Sequence, residues 1–189
     1  MMRCPWALSE ISSNYHDHEW GVPVHDDQKL FEFLILEGAQ AGLNWETILK
    51  KRAAYREAFM EFEPARVAKF DSPQVEELLL NPGIIRNRRK IESAVKNANV
   101  FLKIQDEFGS FDEYIWGFVS RKPKQNQFFS LSEIPAETEL SRQISKDLKQ
   151  RGMSFVGPTI MYAFMQATGI VNDHLVECFR YFEVSQMEN

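Results

Sequence analysis

The sequence predicts an all-α fold. Apolar residues recur at helical spacing nearly throughout, and helix caps or glycine and proline breaks separate the apolar runs. Strand-like alternation is absent, which argues for helices packed on helices. In chain order, Asp27 is placed to cap a helix whose apolar face holds Leu30, Phe31, Leu34 and Ile35. Gly42-Leu43-Asn44 breaks that helix, and Asn44 caps the next, with Ile48, Tyr55, Phe59 and Phe62 along one face. Ser72-Pro73 reads as a cap and a first-turn proline for a short helix through Leu78, Leu79 and Leu80. After the turn Asn81-Pro82-Gly83, a long helix runs from about Asn87 to Phe108, with Ile91, Ala94, Val95, Ala98 and Leu102 inward.

Ser110 caps a helix carrying Phe111, Tyr114, Ile115 and Phe118, and residues 120–130 read as a polar, basic loop. Ser141 to Arg151 is amphipathic and stops at Gly152. Gly157-Pro158 opens an apolar helix through Ile160, Met161, Phe164 and Met165 that ends near Gly169. Asn172 is placed to cap the last helix. With 189 residues, no repeat and no low-complexity tract, a single domain over 1–189 is expected.

Composition bounds the function classes. Apolar residues make up 44% and aromatics 13%, enough for a sizeable core. The formal net charge is -5, so any nucleic-acid contact has to come from a local basic patch. No apolar run is long enough to span a bilayer, and the start, Met1 to Trp6, lacks a signal-peptide core. A cytoplasmic, membrane-free protein is expected. In that compartment Cys4 and Cys178 read as free thiols or metal ligands rather than a disulfide.

Cys4 and His16 lie near one end of the chain, His174 and Cys178 near the other. His174-x-x-x-Cys178 has the spacing that puts two ligands on one helix face. Cys₂His₂ is a common closed zinc set. Spacing alone favours two buried thiols and two ordinary histidines, because Cys4 and His16 are too far apart for a short ligand motif, and His18 and His25 compete for His16's place.

The stretch Leu78 to Lys90 reads helix, tight turn, helix, with the cations Arg86, Arg88, Arg89 and Lys90 directly after Gly83. A glycine turn at a helix N-terminus exposes N–H groups to a phosphate, and nearby cations add counterion release without reading sequence. That is the logic of a helix-hairpin-helix DNA-binding element; a solvated basic face is the alternative. Trp6, Tyr15, Trp20 and Trp45 stand among polar residues, as either core pieces or a stacking cage. Glu37 ends the apolar run Phe33-Leu34-Ile35-Leu36, on the solvent edge or on a pocket floor.

Six segments then act as a set: Arg3-Cys4-x-Trp6, Tyr15-His16-Asp17-x-Glu19-Trp20-Gly21, Leu36-Glu37-x-x-x-Ala41-Gly42-Leu43-x-Trp45, Gly83-Ile84-Ile85-Arg86, Phe155-Val156-Gly157-x-Thr159 and Val171-Asn172-Asp173-His174. Together they resemble the 3-methyladenine DNA glycosylase I family, of constitutive bacterial type. The resemblance implies a helix-hairpin-helix glycosylase fold and one structural zinc on Cys4, His16, His174 and Cys178, joining the terminal segments. It implies a base pocket with Glu37 and Tyr15 as catalytic residues, and Trp45, Trp6 and Trp20 against the base. It implies alkylated double-stranded DNA as substrate and removal of 3-methyladenine as the activity, for a chain expected to act as a monomer. Ser12 departs from the pattern, since the family often has tyrosine there; Asn44 and Glu46 are also less usual. Leu43 is a candidate wedge into the duplex. With no lysine placed as a Schiff-base nucleophile, hydrolysis without strand cleavage is expected.

Overall fold

The structure, a computed structural model, describes residues 2–187. Among them are ten α-helices: α1 (Glu10–His18), α2 (Asp27–Gln40), α3 (Trp45–Ala58), α4 (Pro64–Val67), α5 (Ser72–Leu80), α6 (Arg88–Phe108), α7 (Phe111–Gly117), α8 (Glu139–Gln150), α9 (Pro158–Ala167) and α10 (Phe179–Ser185). None is long and apolar enough to cross a membrane.

Helix α2 is the axis of the molecule. Every residue from Leu30 to Ala39 is buried, so it is covered on all sides rather than along one stripe. It packs against α3, α6, α7 and α9. Phe31 meets Phe101 of α6 edge-on at 5.1 Å between ring centres, and Phe101 stacks on Phe111 of α7 at 4.2 Å. Helices α8 and α9 pack closely on each other and bring Ile144, Leu148, Met161 and Phe164 into the same core. The consequence for function is that a polar side chain between Leu30 and Ala39, as at Glu32 and Glu37, is deeply buried.

Most elements follow the sequence expectation, and the differences have local causes. Asp26, not Asp27, caps α2 by accepting from the Lys29 N–H. Asp27 instead accepts from the backbone N–H groups of Phe111 and Asp112, tying the start of α2 to the start of α7. Asp71, not Ser72, caps α5 in a reciprocal pair with Gln74. Val95 and Leu102 are only partly buried; Phe101 and Ile104 carry the inner face of α6.

The all-α expectation is corrected at one place. Strand β1 (Lys124–Gln125) pairs in parallel with β2 (Val171–Asn172). Two residues are too few to produce an alternating pattern, so this bridge is silent in sequence. It also overturns the expected cap at Asn172. The last helix starts after Cys178, and His174 and Cys178 lie on a bend before it rather than on one helical face.

Candidate active site

Two buried glutamates on α2 have opposite environments. Glu32 receives hydrogen bonds from Arg52 at 2.7 Å and Arg56 at 2.9 Å, with Lys29 at 3.1 Å. Burial pushes its carboxyl upward, but these cations outweigh it and hold it below the usual range. Glu37, 4% exposed, makes no hydrogen bond or ion pair among the described residues. Burial alone raises its carboxyl to about 8.

Glu37 borders a cavity of about 220 Å³ lined by Trp6, Tyr15, Trp20, Gln40, Trp45, Ile134, Ala163 and Gln166. That is smaller than the roughly 300–1,000 Å³ typical of drug-sized sites. The walls are aromatic: Trp6 meets Trp20 edge-on at 5.0 Å, and Tyr15 lies 5.5 Å from Trp45. The Tyr15 hydroxyl and the Trp45 indole N–H are buried without a partner among the described residues. Burial and the nearby Glu37 push the Tyr15 phenol well above its usual range. Two donors thus stand buried and unsatisfied around one aromatic cavity, each at a desolvation cost of about 1–3 kcal/mol, with the unpaired Glu37 carboxyl beside them. Such groups suit a planar, hydrogen-bonding guest.

A second cluster lies behind this wall. Cys4, His16, His174 and Cys178 are all buried, and their ligand atoms lie within 4.8 Å of one another. Cys178 Sγ is 3.4 Å from His16 Nε2 and 3.7 Å from His174 Nδ1, and Cys4 Sγ is 3.7 Å from the same Nδ1. A tetrahedral ion with ordinary zinc–sulfur and zinc–nitrogen bonds separates its ligands by about 3.3–3.8 Å. The four residues therefore fit a metal ion. The outer ring nitrogens are fixed as in metal sites: His16 Nδ1 meets Asp17 at 2.8 Å, and His174 Nε2 meets the Trp20 carbonyl at 3.0 Å. Arg3 in turn binds Asp17. Gly21 is needed here, because a Cβ would come within 3.0 Å of His174 and its φ of +80° strains other residues.

Residues 6–181 match the family model of methyladenine glycosylase. The chain belongs to the methyladenine glycosylase family. It is 48% identical over 177 residues to the DNA-3-methyladenine glycosylase of Haemophilus influenzae, covering 93% of this chain and 96% of that one. It is 48% identical over 182 residues to DNA-3-methyladenine glycosylase 1 of Escherichia coli K12, covering 96% and 97%. The solved 3-methyladenine DNA glycosylase I of Staphylococcus aureus, described for its 3-methyladenine recognition, superposes with a TM-score of 0.92 at 39% identity, covering 99% of this chain and 98% of that one.

In this methyladenine glycosylase the five expected pocket residues, Trp6, Tyr15, Trp20, Glu37 and Trp45, line one cavity, and the four expected metal ligands form one cluster. Leu43 is 41% exposed just beyond Gln40, at the end of α2. Ser12 is not among the residues that line the pocket, and its side chain bonds Ser9. It forms a reciprocal cap with Ser9, whose hydroxyl reaches Glu46 at 3.1 Å. So Ser9 and Glu46 tie the start of α1 to the start of α3, beside Trp45.

The basic turn differs from expectation. Gly83 donates its N–H to Asn81 Oδ1 at 2.8 Å, and Ile85 donates its own to the Tyr55 hydroxyl at 3.1 Å. Neither is free for a phosphate. Gly83 is instead required for close approach, because a Cβ would sit 2.6 Å from Ala54. Arg88 pairs with Glu76, and Lys90 donates to the carbonyls of Ala39 and Ala41 at 2.8 and 2.7 Å. Burial lowers the Lys90 ammonium. Lys90 therefore braces the end of α2, the segment that leads into Leu43. Arg86 and Arg89 are exposed and make no ion pair among the described residues.

Four pocket residues escaped sequence reading: Gln40, Ile134, Ala163 and Gln166. One signal was present. Gln166 is a polar residue near the end of an apolar helical run, as Glu37 is.

Proposed function

We infer that this chain is a base-excision repair glycosylase that hydrolyses the N-glycosidic bond of 3-methyladenine in DNA and releases the free base. The observation that carries the reading is Glu37, buried and unpaired, in one aromatic cavity with the orphaned Tyr15 hydroxyl and Trp45 N–H. The named relatives support it over nearly the whole chain.

The chemistry follows from the lesion. Methylation at N3 leaves the nucleoside base cationic, so breaking the bond from C1′ to N9 sends the electron pair to the base, which departs neutral. Water adds to C1′ and loses its proton to solvent. The chain has little acid catalysis to supply; its task is to take the nucleotide out of the stack and select it. Trp45 stacks on the base, adding about 0.5–2 kcal/mol of cation–π attraction for the charged ring. A cationic base beside Glu37 draws the carboxyl to its ionised form, which accepts from the amino edge. Tyr15 completes the contact, and Trp6 and Trp20 close the walls. A normal, neutral adenine offers neither the charge nor the weakened bond.

Cys4, His16, His174 and Cys178 would hold one zinc ion, closed by four protein ligands and hence structural. It joins the terminal segments of one domain, 1–189. Helix α5, the turn 81–87 and helix α6 form the helix-hairpin-helix element. There Arg86 and Arg89 grip phosphates of double-stranded DNA, while Leu43 fills the gap left by the flipped base. Gly83 and Lys90 support that surface from within, and Arg88 lies on it, paired with Glu76. The chain works as a cytoplasmic monomer.

The test is release of base from methylated duplex DNA, separated by chromatography. Free 3-methyladenine released by wild type, with no strand nicking, supports the reading. Tight DNA binding without release would make the chain a DNA-binding module instead.

A further inference from the structure

Gln166 lines the base cavity one helical turn beyond Ala163, on the same face of α9. Behind it lies Asp173, only 1% exposed. Its carboxylate accepts from Asn126 Nδ2 at 2.6 Å, from the Tyr162 hydroxyl at 2.5 Å and from Gln166 Nε2 at 2.9 Å. Position 126 is placed by the β1–β2 bridge, where Asn126 N–H donates to the Asn172 carbonyl at 3.3 Å. The Gln166 backbone is also held, its carbonyl accepting from the Gly21 N–H at 3.1 Å.

This arrangement decides which end of the Gln166 amide is left over. A carboxylate only accepts, so the amide must turn its NH₂ to Asp173. Its carbonyl oxygen is then committed and makes no hydrogen bond among the described residues. A free glutamine would present either end by flipping; here one N–H is spent on Asp173, which fixes the amide and leaves its carbonyl oxygen as the acceptor it holds out. We propose that Gln166 is a specificity-determining residue of the base pocket, a neutral acceptor that selects a purine bearing a hydrogen-bond donor over a keto purine, and that Asp173 and Tyr162 position it. The proposal rests on the base-pocket reading above and deepens it. It gives the pocket a second acceptor besides Glu37, one whose state does not change with pH.

The experiment measures binding of free 3-methyladenine and of 3-methylhypoxanthine, which carries a keto oxygen where the former has its amino group. Wild type, Gln166→Met, Tyr162→Phe and the double variant are compared, all checked for folding by thermal melting. Gln166→Met keeps the length and removes the acceptor. Loss of one neutral hydrogen bond corresponds to about three- to tenfold in affinity. The expected result is that Gln166→Met weakens 3-methyladenine binding by about that factor, leaves or improves binding of the keto base, and so narrows the preference. Tyr162→Phe should act in the same direction but more weakly, and should add nothing on top of Gln166→Met. Equal changes for both bases, or none, would overturn the role of Gln166. Full additivity of Tyr162→Phe with Gln166→Met would overturn the positioning. If wild type binds neither base, the pocket reading itself fails, and this proposal with it.

Discussion

The Cys₂His₂ cluster and the aromatic pocket share helix α1, where consecutive residues divide between them: Tyr15 lines the pocket and His16 belongs to the cluster. The two regions treat polar groups in opposite ways. In the cluster both ring nitrogens of each histidine have a partner, and Asp17 and Arg3 extend the set outward. In the pocket the polar groups of Glu37, Tyr15 and Trp45 have none among the described residues. Satisfied buried groups rigidify, while unsatisfied ones store a cost that a guest can relieve. The cluster also builds the pocket wall. Trp6 lies two residues from Cys4, Tyr15 is next to His16, and the Trp20 carbonyl orients His174. Stability in one region is what holds the other open.

The largest effect should come from breaking the satisfied region. Purified protein should carry about one zinc per chain. Cys178→Ser or metal removal should lower the melting temperature by many degrees, since metal binding couples directly to folding free energy. Protein that remains folded should keep some base release. Full activity and unchanged melting in metal-free protein would dissolve the contrast.

Next in size is Glu37→Gln, which should move the two properties in opposite directions. Losing a charge-assisted acceptor costs about 1.5–3 kcal/mol, or roughly ten- to a hundredfold in 3-methyladenine binding or excision. Affinity for undamaged duplex should hardly move. Stability should rise. The carboxyl is shifted from 4.5 unfolded to about 8 folded, so the folded state binds its proton more tightly. Its favourable contribution is complete below pH 4.5 and is lost as the pH rises through 8. Thermal melting should therefore show no gap between Glu37→Gln and wild type near pH 4.5. The variant should gain on the order of a few kcal/mol by pH 8 and stay level above it. A gap that is constant with pH would mean that Glu37 is not the unpaired group described.

Tyr15→Phe sharpens the same comparison on a neutral group. It should leave stability equal or slightly raised while weakening base binding by about three- to tenfold. Loss of stability would show that the hydroxyl has a structural partner after all. The smallest effect belongs to the exposed cations. Arg86→Ala and Arg89→Ala should each weaken binding to every duplex alike and flatten the salt slope by about one, whereas Arg88→Ala should change the slope less because Glu76 already holds that side chain. Equal slopes for all three variants and wild type would place the turn away from DNA.

What the sequence determined by itself was the local and the one-dimensional. Apolar periodicity and caps such as Asn44 and Ser110 set the helices, because those preferences act within a few residues. The six motif segments identified the family and hold eight of the nine expected residues of the pocket and cluster; Cys178 lies four residues past the last of them. Tertiary structure decided what depends on neighbours distant in sequence. That Glu37 is unpaired while Glu32 is neutralised follows from where Arg52 and Arg56 of α3 reach α2, and both glutamates look alike along the chain. That Lys90 braces α2 follows from carbonyls about fifty residues upstream. The two-residue bridge, the bend that carries His174 and Cys178, and the fixed face of Gln166 have no periodic signature, because each consists of a few contacts between remote segments. Burial and hydrogen-bond partnership are properties of the packed chain, and it is these that separate a structural polar residue from a functional one.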